Sequence, residues 1–264
     1  MLMTDNNEPF DQLSDDELLR YSRQVLLSGW DIDAQIKLKS ARVVLIGAGG
    51  LGCPASETLV RAGVGFVHLI DDDEIELSNL QRQTLFLPKD IGQSKALTAA
   101  QMLNEINPLI KAHGSSERLT DDNAFEILTR FSGEMPDLLL DCSDNFATRD
   151  MSNRLSIRYQ LPLLSASAIG FQGQLALFEP NQNNGCYQCI FGDTTAHDDR
   201  TCANSGVLAS TTAIMGNLQA NLALQYLGLG NNPLANKLLL WDGLRLQQRV
   251  MGFKQDLQCS ACQP

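Results

Sequence analysis

The sequence predicts an α/β protein whose sheet is mainly parallel. Residues 42–46 form an apolar run, a glycine-rich turn follows, residues 53–62 suit a helix, and residues 66–71 form a second apolar run that ends in acids. This order is typical of a βαβ unit, in which the two strands are parallel and the crossover is right-handed. A further helix at about 94–106 and a strand at 137–141 continue the alternation and extend the same sheet.

The flanking segments complete one domain. Residues 1–12 are polar and predict a loose tail, whereas Ser14 followed by Glu17 is a capping box that predicts a helix start. The chain after residue 162 predicts, in order, two or three strands with glycines between them, a loop at 192–206, a helix at about 211–227 and a strand at 237–241. Because no internal repeat or linker interrupts this pattern, we interpret residues 13–264 as a single domain.

Composition and charge narrow the classes of partner. The 264 residues are 44% hydrophobic and 19% charged, which is typical of a folded globular chain. The 20 basic and 31 acidic residues give a formal net charge of −11, which argues against nucleic acid or an anionic membrane as the main partner. No apolar run approaches the ~18 residues of a membrane span, and the acidic N-terminus does not look like a secretory signal. We therefore expect a cytoplasmic protein whose cysteines are metal ligands or thiols rather than disulfides.

The glycine-rich turn indicates a nucleotide site. Gly47, Gly49 and Gly52 match the pattern G-x-G-x-x-G between a strand and a helix, and Gly50 lies within the same turn. Such glycines let backbone N–H groups approach a phosphate at the positive end of the helix. Asp71 ends the next strand about twenty residues on, where an acid commonly accepts hydrogen bonds from a ribose. The alternative is that the glycines serve packing alone, and the motif does not choose among NAD, FAD and ATP.

A polar cluster after the second strand favours a triphosphate over a hydride-transfer cofactor. Asn79, Gln81, Arg82 and Gln83 lie in one short stretch, and Lys95 follows about a dozen residues later. A triphosphate needs guanidinium and ammonium groups around its oxygens, because negative charge accumulates there during phosphoryl chemistry. The alternative is that the two cations are solvated surface charges.

Two cysteine pairs predict a metal site. Cys186 and Cys189 form one C-x-x-C, and Cys259 and Cys262 form another near the end of the sequence. Four thiolates in two such pairs suit a tetrahedral zinc ion, although a single pair could also be redox-active. Cys202 is isolated in a polar segment and is either a reactive thiol or an inert surface cysteine.

In combination, these motifs resemble the HesA/MoeB/ThiF family, bacterial relatives of ubiquitin-activating enzymes. The matching segments are GAGGLG, DDDEIELSNLQRQ, IGQSKA, DCSDN and the two C-x-x-C pairs, and the resemblance runs from about Leu13 to Cys262. It implies a Rossmann-like ATP-binding fold, extended by a C-terminal part that carries a four-cysteine zinc site. It also implies an enzyme that uses ATP to adenylate the C-terminal glycine carboxylate of a ubiquitin-like sulfur carrier, with release of pyrophosphate.

The resemblance also implies roles for individual residues. Asp71 matches a residue that binds ribose hydroxyls, and Asn79, Arg82 and Lys95 match phosphate-contacting positions. The full set of implied nucleotide-binding residues is Gly47, Gly49, Gly50, Gly52, Asp71, Asp73, Asn79, Arg82 and Lys95.

Three further residues have implied roles in catalysis. Asp144 matches a magnesium ligand, with capping of the next helix as the alternative. Arg23 matches an arginine that reaches ATP across a dimer interface, which implies a homodimer. Cys202 matches a position associated with a later thiol step.

The resemblance divides the domain into a nucleotide-binding part at about 40–150 and a carrier-binding and zinc part at about 160–264. The carrier is of the MoaD or ThiS type, and Gly170 after SASAI is closer to the ThiF-like form. Since the sequence ends at the second cysteine pair, we expect a separate sulfur donor. Two alternatives stay open, namely an NAD(P)- or FAD-dependent oxidoreductase and an inactive carrier-binding scaffold.

Overall fold

The computed structural model describes residues 12–180, 184–192 and 206–263. In this part of the chain, strands β1–β8 form one sheet in the order β3-β2-β1-β4-β5-β6-β7-β8. The strands are β1 (Arg42–Ile46), β2 (Phe66–Ile70), β3 (Lys111–Ser115), β4 (Leu138–Asp141), β5 (Leu163–Ile169), β6 (Gln172–Phe178), β7 (Lys237–Asp242) and β8 (Gln247–Gly252). Strands β1–β5 pair in parallel, whereas β5–β8 pair antiparallel. The predicted α/β fold with a mainly parallel sheet is thus confirmed.

Helices cover both faces of the sheet. They are α1 (Asp15–Val25), α2 (Asp31–Ser40), α3 (Gly52–Ala62), α4 (Lys95–Ile106), α5 (Ala124–Thr129), α6 (Phe146–Tyr159), α7 (Tyr187–Phe191) and α8 (Ala209–Leu229). None of these described helices is both long enough and apolar enough to cross a lipid bilayer.

Strand β1 explains why the parallel part of the sheet reads as continuous apolar runs. Successive strand residues point to opposite faces, so Val43 and Leu45 pack with α2, α3, α4 and α8 on one side. Val44 and Ile46 pack on the other side with α5 and α6. Because both faces are covered, neither set of side chains can be polar.

The predicted βαβ unit lies at the centre of the sheet. Strands β1 and β2 are in register from Arg42 opposite Phe66 to Ile46 opposite Ile70. Helix α1 begins as predicted, because the Ser14 hydroxyl accepts a hydrogen bond from the Glu17 backbone and the Glu17 side chain accepts one from the Ser14 backbone.

Several elements are absent from the sequence expectations, namely α2, β3, α5, α6, α7 and β8. Strand β3 reads KAHGS and lies at one edge of the sheet, so it lacks the apolar run of a central strand. Strand β8 lies at the opposite edge and is exposed along its whole length. Both edges therefore carry little of the hydrophobic signal by which strands are found in a sequence.

Candidate active site and metal centre

A cavity of about 470 Å³ opens at the carboxyl ends of β1, β2 and β4. Strand β1 lies between β2 and β4, so the crossovers that leave this point run in opposite directions along the sheet. Ligands of open α/β sheets bind in the crevice at such a switch point. The residues implied by the resemblance that line the cavity are Gly47, Gly50, Asp71, Asp73, Arg82, Lys95 and Asp144.

The glycines of the turn serve two different purposes. Gly47 has φ +104°, and a methyl group on it would lie 2.9 Å from the carbonyl oxygen of Cys142. A methyl group on Gly52 would collide with the carbonyl oxygen of Gly47. Gly47 and Gly52 thus fix the tight turn itself. A methyl group on Gly50 would lie 3.3 Å from the Arg82 side chain, so this glycine leaves room at the cavity wall.

Asp71 connects the glycine turn to the segment after β2. Its Oδ2 accepts a hydrogen bond of 2.7 Å from the Ala48 backbone, and its Oδ1 accepts one of 2.9 Å from the Asp73 backbone. Burial raises the pKa of Asp71 above its ordinary value, while the Ala48 hydrogen bond and the charge of Lys95 act in the opposite direction. Each oxygen retains a second lone pair, so the carboxylate can still accept a hydroxyl.

The two predicted cations reach the cavity from different elements. Lys95 is the first residue of α4 and is 7% exposed, and its ammonium lies 2.6 Å from the Asp73 carboxylate. Arg82 donates a hydrogen bond of 3.1 Å to the Ser78 carbonyl, which holds the guanidinium on the wall. The cavity therefore offers two positive groups near the glycine turn.

Two predicted residues lie away from the cavity wall. Asn79 is buried, and its side-chain oxygen accepts a hydrogen bond of 3.1 Å from the Glu76 backbone, which closes a 3₁₀ turn at Leu77–Asn79. Arg23 lies in the last turn of α1 and is exposed. Neither residue contributes to the described wall of the cavity.

The loop between β4 and α6 carries Asp144. Asn145 is the N-cap of α6, because its side chain accepts a hydrogen bond of 2.9 Å from the Thr148 backbone. The alternative that Asp144 caps this helix is therefore wrong. Asp144 is exposed on the cavity wall, where its carboxylate is accessible to a ligand.

A buried network that sequence reasoning missed holds this loop in place. The Asp141 carboxylate accepts hydrogen bonds from the hydroxyls of Ser143 (2.6 Å) and Ser165 (2.7 Å). Arg149 donates to the Ser143 carbonyl (2.7 Å), and Gln219 of α8 donates to the Asp141 carbonyl (2.9 Å). The one available signal for Gln219 was its polarity within the apolar run of α8.

Two neighbouring features also line the cavity without having been expected to do so. Glu117, Arg118 and Leu119 follow β3, and their place on the wall depends on that unpredicted strand. Cys142 is 5% exposed, and burial raises the pKa of its thiol well above the ordinary value. Its interpretation as a small buried side chain agrees with that environment.

The four predicted cysteine ligands come together at the opposite side of α6. The sulfurs of Cys186, Cys189, Cys259 and Cys262 all lie within 4.8 Å of one another. The closest sulfur pairs are 3.5, 3.7 and 3.8 Å apart. A tetrahedron with zinc–thiolate bonds of about 2.3 Å has sulfurs about 3.8 Å apart, so the cluster fits this metal.

Polar donors surround the cysteine cluster. The Asn153 side chain lies 3.6 Å from the Cys186 sulfur, and the Asp256 backbone N–H donates to the Cys189 sulfur at 3.4 Å. Such donors favour the thiolate form that binds a metal. Cys202 lies outside the described residues, and its predicted thiol step is not addressed by the structure.

The fold and the two sites define a class: an α/β protein with a nucleotide-type cavity at the sheet's switch point and a four-cysteine metal centre. A family model described as the ThiF family matches residues 21–261. The chain belongs to the ThiF family, which confirms the resemblance to HesA, MoeB and ThiF proteins.

Curated relatives match over almost their whole length. The protein named sulfur carrier protein ThiS adenylyltransferase of Escherichia coli is 39% identical, with 95% of this chain and 97% of the relative covered. The molybdopterin-synthase adenylyltransferase of Salmonella typhimurium is 38% identical, with 95% and 98% covered. Among solved structures, E. coli MccB with succinimide has a TM-score of 0.79 at 24% identity, with 96% of this chain and 75% of that chain covered. That last likeness supports the fold alone.

Proposed function

We propose that this protein adenylates the C-terminal carboxylate of a ubiquitin-like sulfur carrier protein, using ATP and releasing pyrophosphate. The observation that carries the proposal is the presence of Arg82, Lys95 and Asp144 around one cavity beside the glycine turn. Relatives that align with about 95% of the chain are named as adenylyltransferases of a sulfur carrier protein or of molybdopterin synthase. The same activity fits the charges of this cavity.

In the proposed reaction a carboxylate oxygen of the carrier attacks the α-phosphorus of ATP. The bond from that phosphorus to the bridging oxygen of the β-phosphate breaks, and an acyl-adenylate and pyrophosphate result. Negative charge develops on the phosphate oxygens, and the Arg82 guanidinium and the Lys95 ammonium would stabilise it. Positioning and electrostatics suffice for this step, so no covalent bond to the protein is required.

Asp144 is the proposed ligand of a magnesium ion. Its carboxylate is exposed on the cavity wall and is not used as a helix cap, and carboxylate oxygens are the protein ligands that Mg²⁺ prefers. Magnesium bound at this carboxylate would neutralise part of the charge of the triphosphate.

The four cysteines are the proposed ligands of a structural zinc ion. Cys186 and Cys189 lie at the start of α7, whereas Cys259 and Cys262 follow β8, so one ion would join the end of the described chain to the rest of the fold. A four-thiolate site leaves no open position for a substrate, which favours a structural role.

A homodimer with Arg23 reaching the partner's site is supported by the surface of α1. Leu19 and Leu26 on this helix are 78% and 76% exposed, and Leu27 directly after it is 57% exposed. Such a cluster of exposed apolar side chains beside a charged residue is typical of a protein–protein interface.

The proposed division of the domain has both parts meeting at the cavity. Residues of the nucleotide-binding part supply the glycine turn and the cations, whereas Ser167, Gln174 and Thr212 of the carrier-binding part line the other side. A carrier tail that enters between the two parts would reach the α-phosphorus. The sulfur donor, as a separate protein, stays a prediction.

The test is ATP–pyrophosphate exchange with labelled pyrophosphate and a carrier of the ThiS or the MoaD type. Exchange that depends on one carrier would support the proposal and identify the branch, which identities of 39% and 38% do not separate. Asp144→Ala should abolish exchange, while zinc content and the melting temperature stay unchanged. The absence of exchange with both carriers, from folded and zinc-loaded protein, would contradict the proposal and favour an inactive scaffold.

A further inference from the structure

Gln83 differs from the other buried glutamines of the described chain. It is 3% exposed, and its side-chain oxygen is buried without a hydrogen-bond partner. No hydrogen bond of this carboxamide occurs among the described residues. A buried polar group without a partner lowers the stability of the folded state, so its presence calls for another explanation.

The two comparable glutamines are fully hydrogen-bonded. Gln35 accepts hydrogen bonds from the side chains of Gln24 (2.9 Å) and Trp30 (3.4 Å), and it donates to the Ala62 carbonyl (2.9 Å). Gln219 donates to two backbone carbonyls and accepts from the Cys142 thiol. The lack of partners at Gln83 is therefore not a general property of buried amides in this fold.

The position of Gln83 is fixed by its backbone. Its N–H donates to the Asn79 carbonyl at 3.0 Å, and its carbonyl accepts from the Phe86 N–H at 3.3 Å. These bonds hold the residue on the cavity wall, next to Arg82. The carboxamide itself can rotate without breaking a protein hydrogen bond.

The carboxamide faces the glycine turn. A methyl group on Gly49 would lie 3.5 Å from Nε2 of Gln83, so no other side chain separates the amide from this part of the turn. Backbone N–H groups of such a turn approach phosphate oxygens, and Arg82 and Lys95 line the same cavity. An amide N–H donor at this point suits the same oxygens.

We infer that Gln83 binds the triphosphate of ATP through its side-chain N–H₂ group, and that the amide is left without a partner until the nucleotide is bound. This inference rests on the proposed function. It assigns to Gln83 a binding role, in which the cost of an unsatisfied amide in the empty cavity is offset by a hydrogen bond to a charged ligand.

The test combines the stability of the empty protein with its affinity for the nucleotide. Gln83→Met keeps the size of the side chain and removes the amide. We expect the melting temperature without ligand to be unchanged or higher, because an unsatisfied polar group is lost. Calorimetry with a non-hydrolysable α,β-methylene ATP analogue and magnesium should give binding that is about tenfold to a hundredfold weaker, with adenosine binding unchanged.

Gln35→Met is the matched control, because that amide is saturated and is not on the cavity wall. It should lower the melting temperature and leave nucleotide affinity unchanged. Gln83→Glu is a second variant that retains the size and hydrogen-bonding capacity of the side chain as an acceptor only. It should weaken binding of the triphosphate further by charge repulsion.

The possible results separate the inference from the proposed function. The inference is overturned if Gln83→Met destabilises the empty protein as Gln35→Met does, or if the variant binds the ATP analogue as the wild type does. An equal loss of adenosine affinity would also overturn it, because the contact would then lie at the ribose or base. If the folded wild type binds no ATP analogue, the proposed function fails and the inference fails with it.

Discussion

The ammonium of Lys95 lies 2.6 Å from the carboxylate of Asp73, in an ion pair whose two side chains differ greatly in exposure. The Lys95 side chain is 8% exposed, whereas that of Asp73 is 69% exposed. A second connection joins the two residues, because the Lys95 backbone N–H donates to the Asp73 carbonyl at 3.0 Å. The lysine therefore faces the cavity with a counter-ion that can turn towards solvent.

This pair predicts the sign of an effect on nucleotide affinity. A phosphate that binds Lys95 must compete with the Asp73 carboxylate, so Asp73→Asn should strengthen ATP binding by roughly threefold to tenfold. The same variant should lower the melting temperature of the ligand-free protein, because the buried ammonium loses its partner. Calorimetric titration with Mg-ATP and thermal unfolding without ligand would measure the two effects.

Asp72→Asn is the control for this prediction. Asp72 also lines the cavity and forms no ion pair in the described part of the chain, so its loss changes the same net charge without freeing Lys95. Weaker ATP binding by Asp73→Asn alone would contradict the competition and would instead support the contact with the nucleotide that the family resemblance implies.

The central βαβ unit could be predicted because its signal is local. Apolar runs that are covered on both faces, with a glycine turn between them, identify β1 and β2 without knowledge of their neighbours. Helix α6 gave no such signal, since Arg149 and Asn153 are buried polar residues that interrupt its apolar periodicity.

The candidate site divides in the same way. The glycine turn, Arg82 and Lys95 belong to recognisable motifs, and Asp144 follows β4 directly. Gln219 lies about eighty residues after that strand, and only the packing of α8 brings it to the Asp141 carbonyl. Long-range contacts of this kind depend on the tertiary fold, so residues near a site in space cannot be identified from spacing in the sequence.

Loss of one cysteine should release the proposed zinc ion. Cys259→Ser removes a sulfur that lies 3.7 Å from that of Cys186, and three remaining thiolates bind zinc less tightly. We expect about one zinc per chain in the wild type, little in the variant by elemental mass spectrometry, and a melting temperature lower by several degrees. Cys53→Ser, a buried thiol outside the cluster, should retain zinc. Unchanged zinc in Cys259→Ser would refute the site.

A mixture of two inactive variants should recover activity if Arg23 acts across a dimer interface. Arg23→Ala and Lys95→Ala should each abolish carrier-dependent exchange. In a heterodimer, one of the two sites would combine an intact Lys95 with an intact Arg23 of the partner chain. Random exchange of subunits makes half of the dimers mixed, so recovery should reach about a quarter of the wild-type rate.

Arg20→Ala provides the comparison for that experiment. Arg20 lies on the same helix, and its guanidinium donates to the Ile106 carbonyl within the same chain. It should not affect exchange. No recovery in the mixture of the other two variants, with subunit exchange demonstrated by native mass spectrometry, would contradict the action of Arg23 in the partner's site.

Acid should destabilise the protein through His68. This residue of β2 is 1% exposed, its Nε2 lies 2.9 Å from the Ser115 hydroxyl, and burial lowers its pKa from 6.5 to about 4. Because the unfolded chain binds the proton more readily, its contribution to stability is complete above about pH 6.5 and is lost as the pH falls towards 4, by about 3 kcal/mol in total. Urea unfolding of the wild type and of His68→Phe between pH 7 and pH 4 measures this contribution. The free energy of unfolding should fall less steeply in His68→Phe, and parallel profiles would show that His68 does not titrate on unfolding.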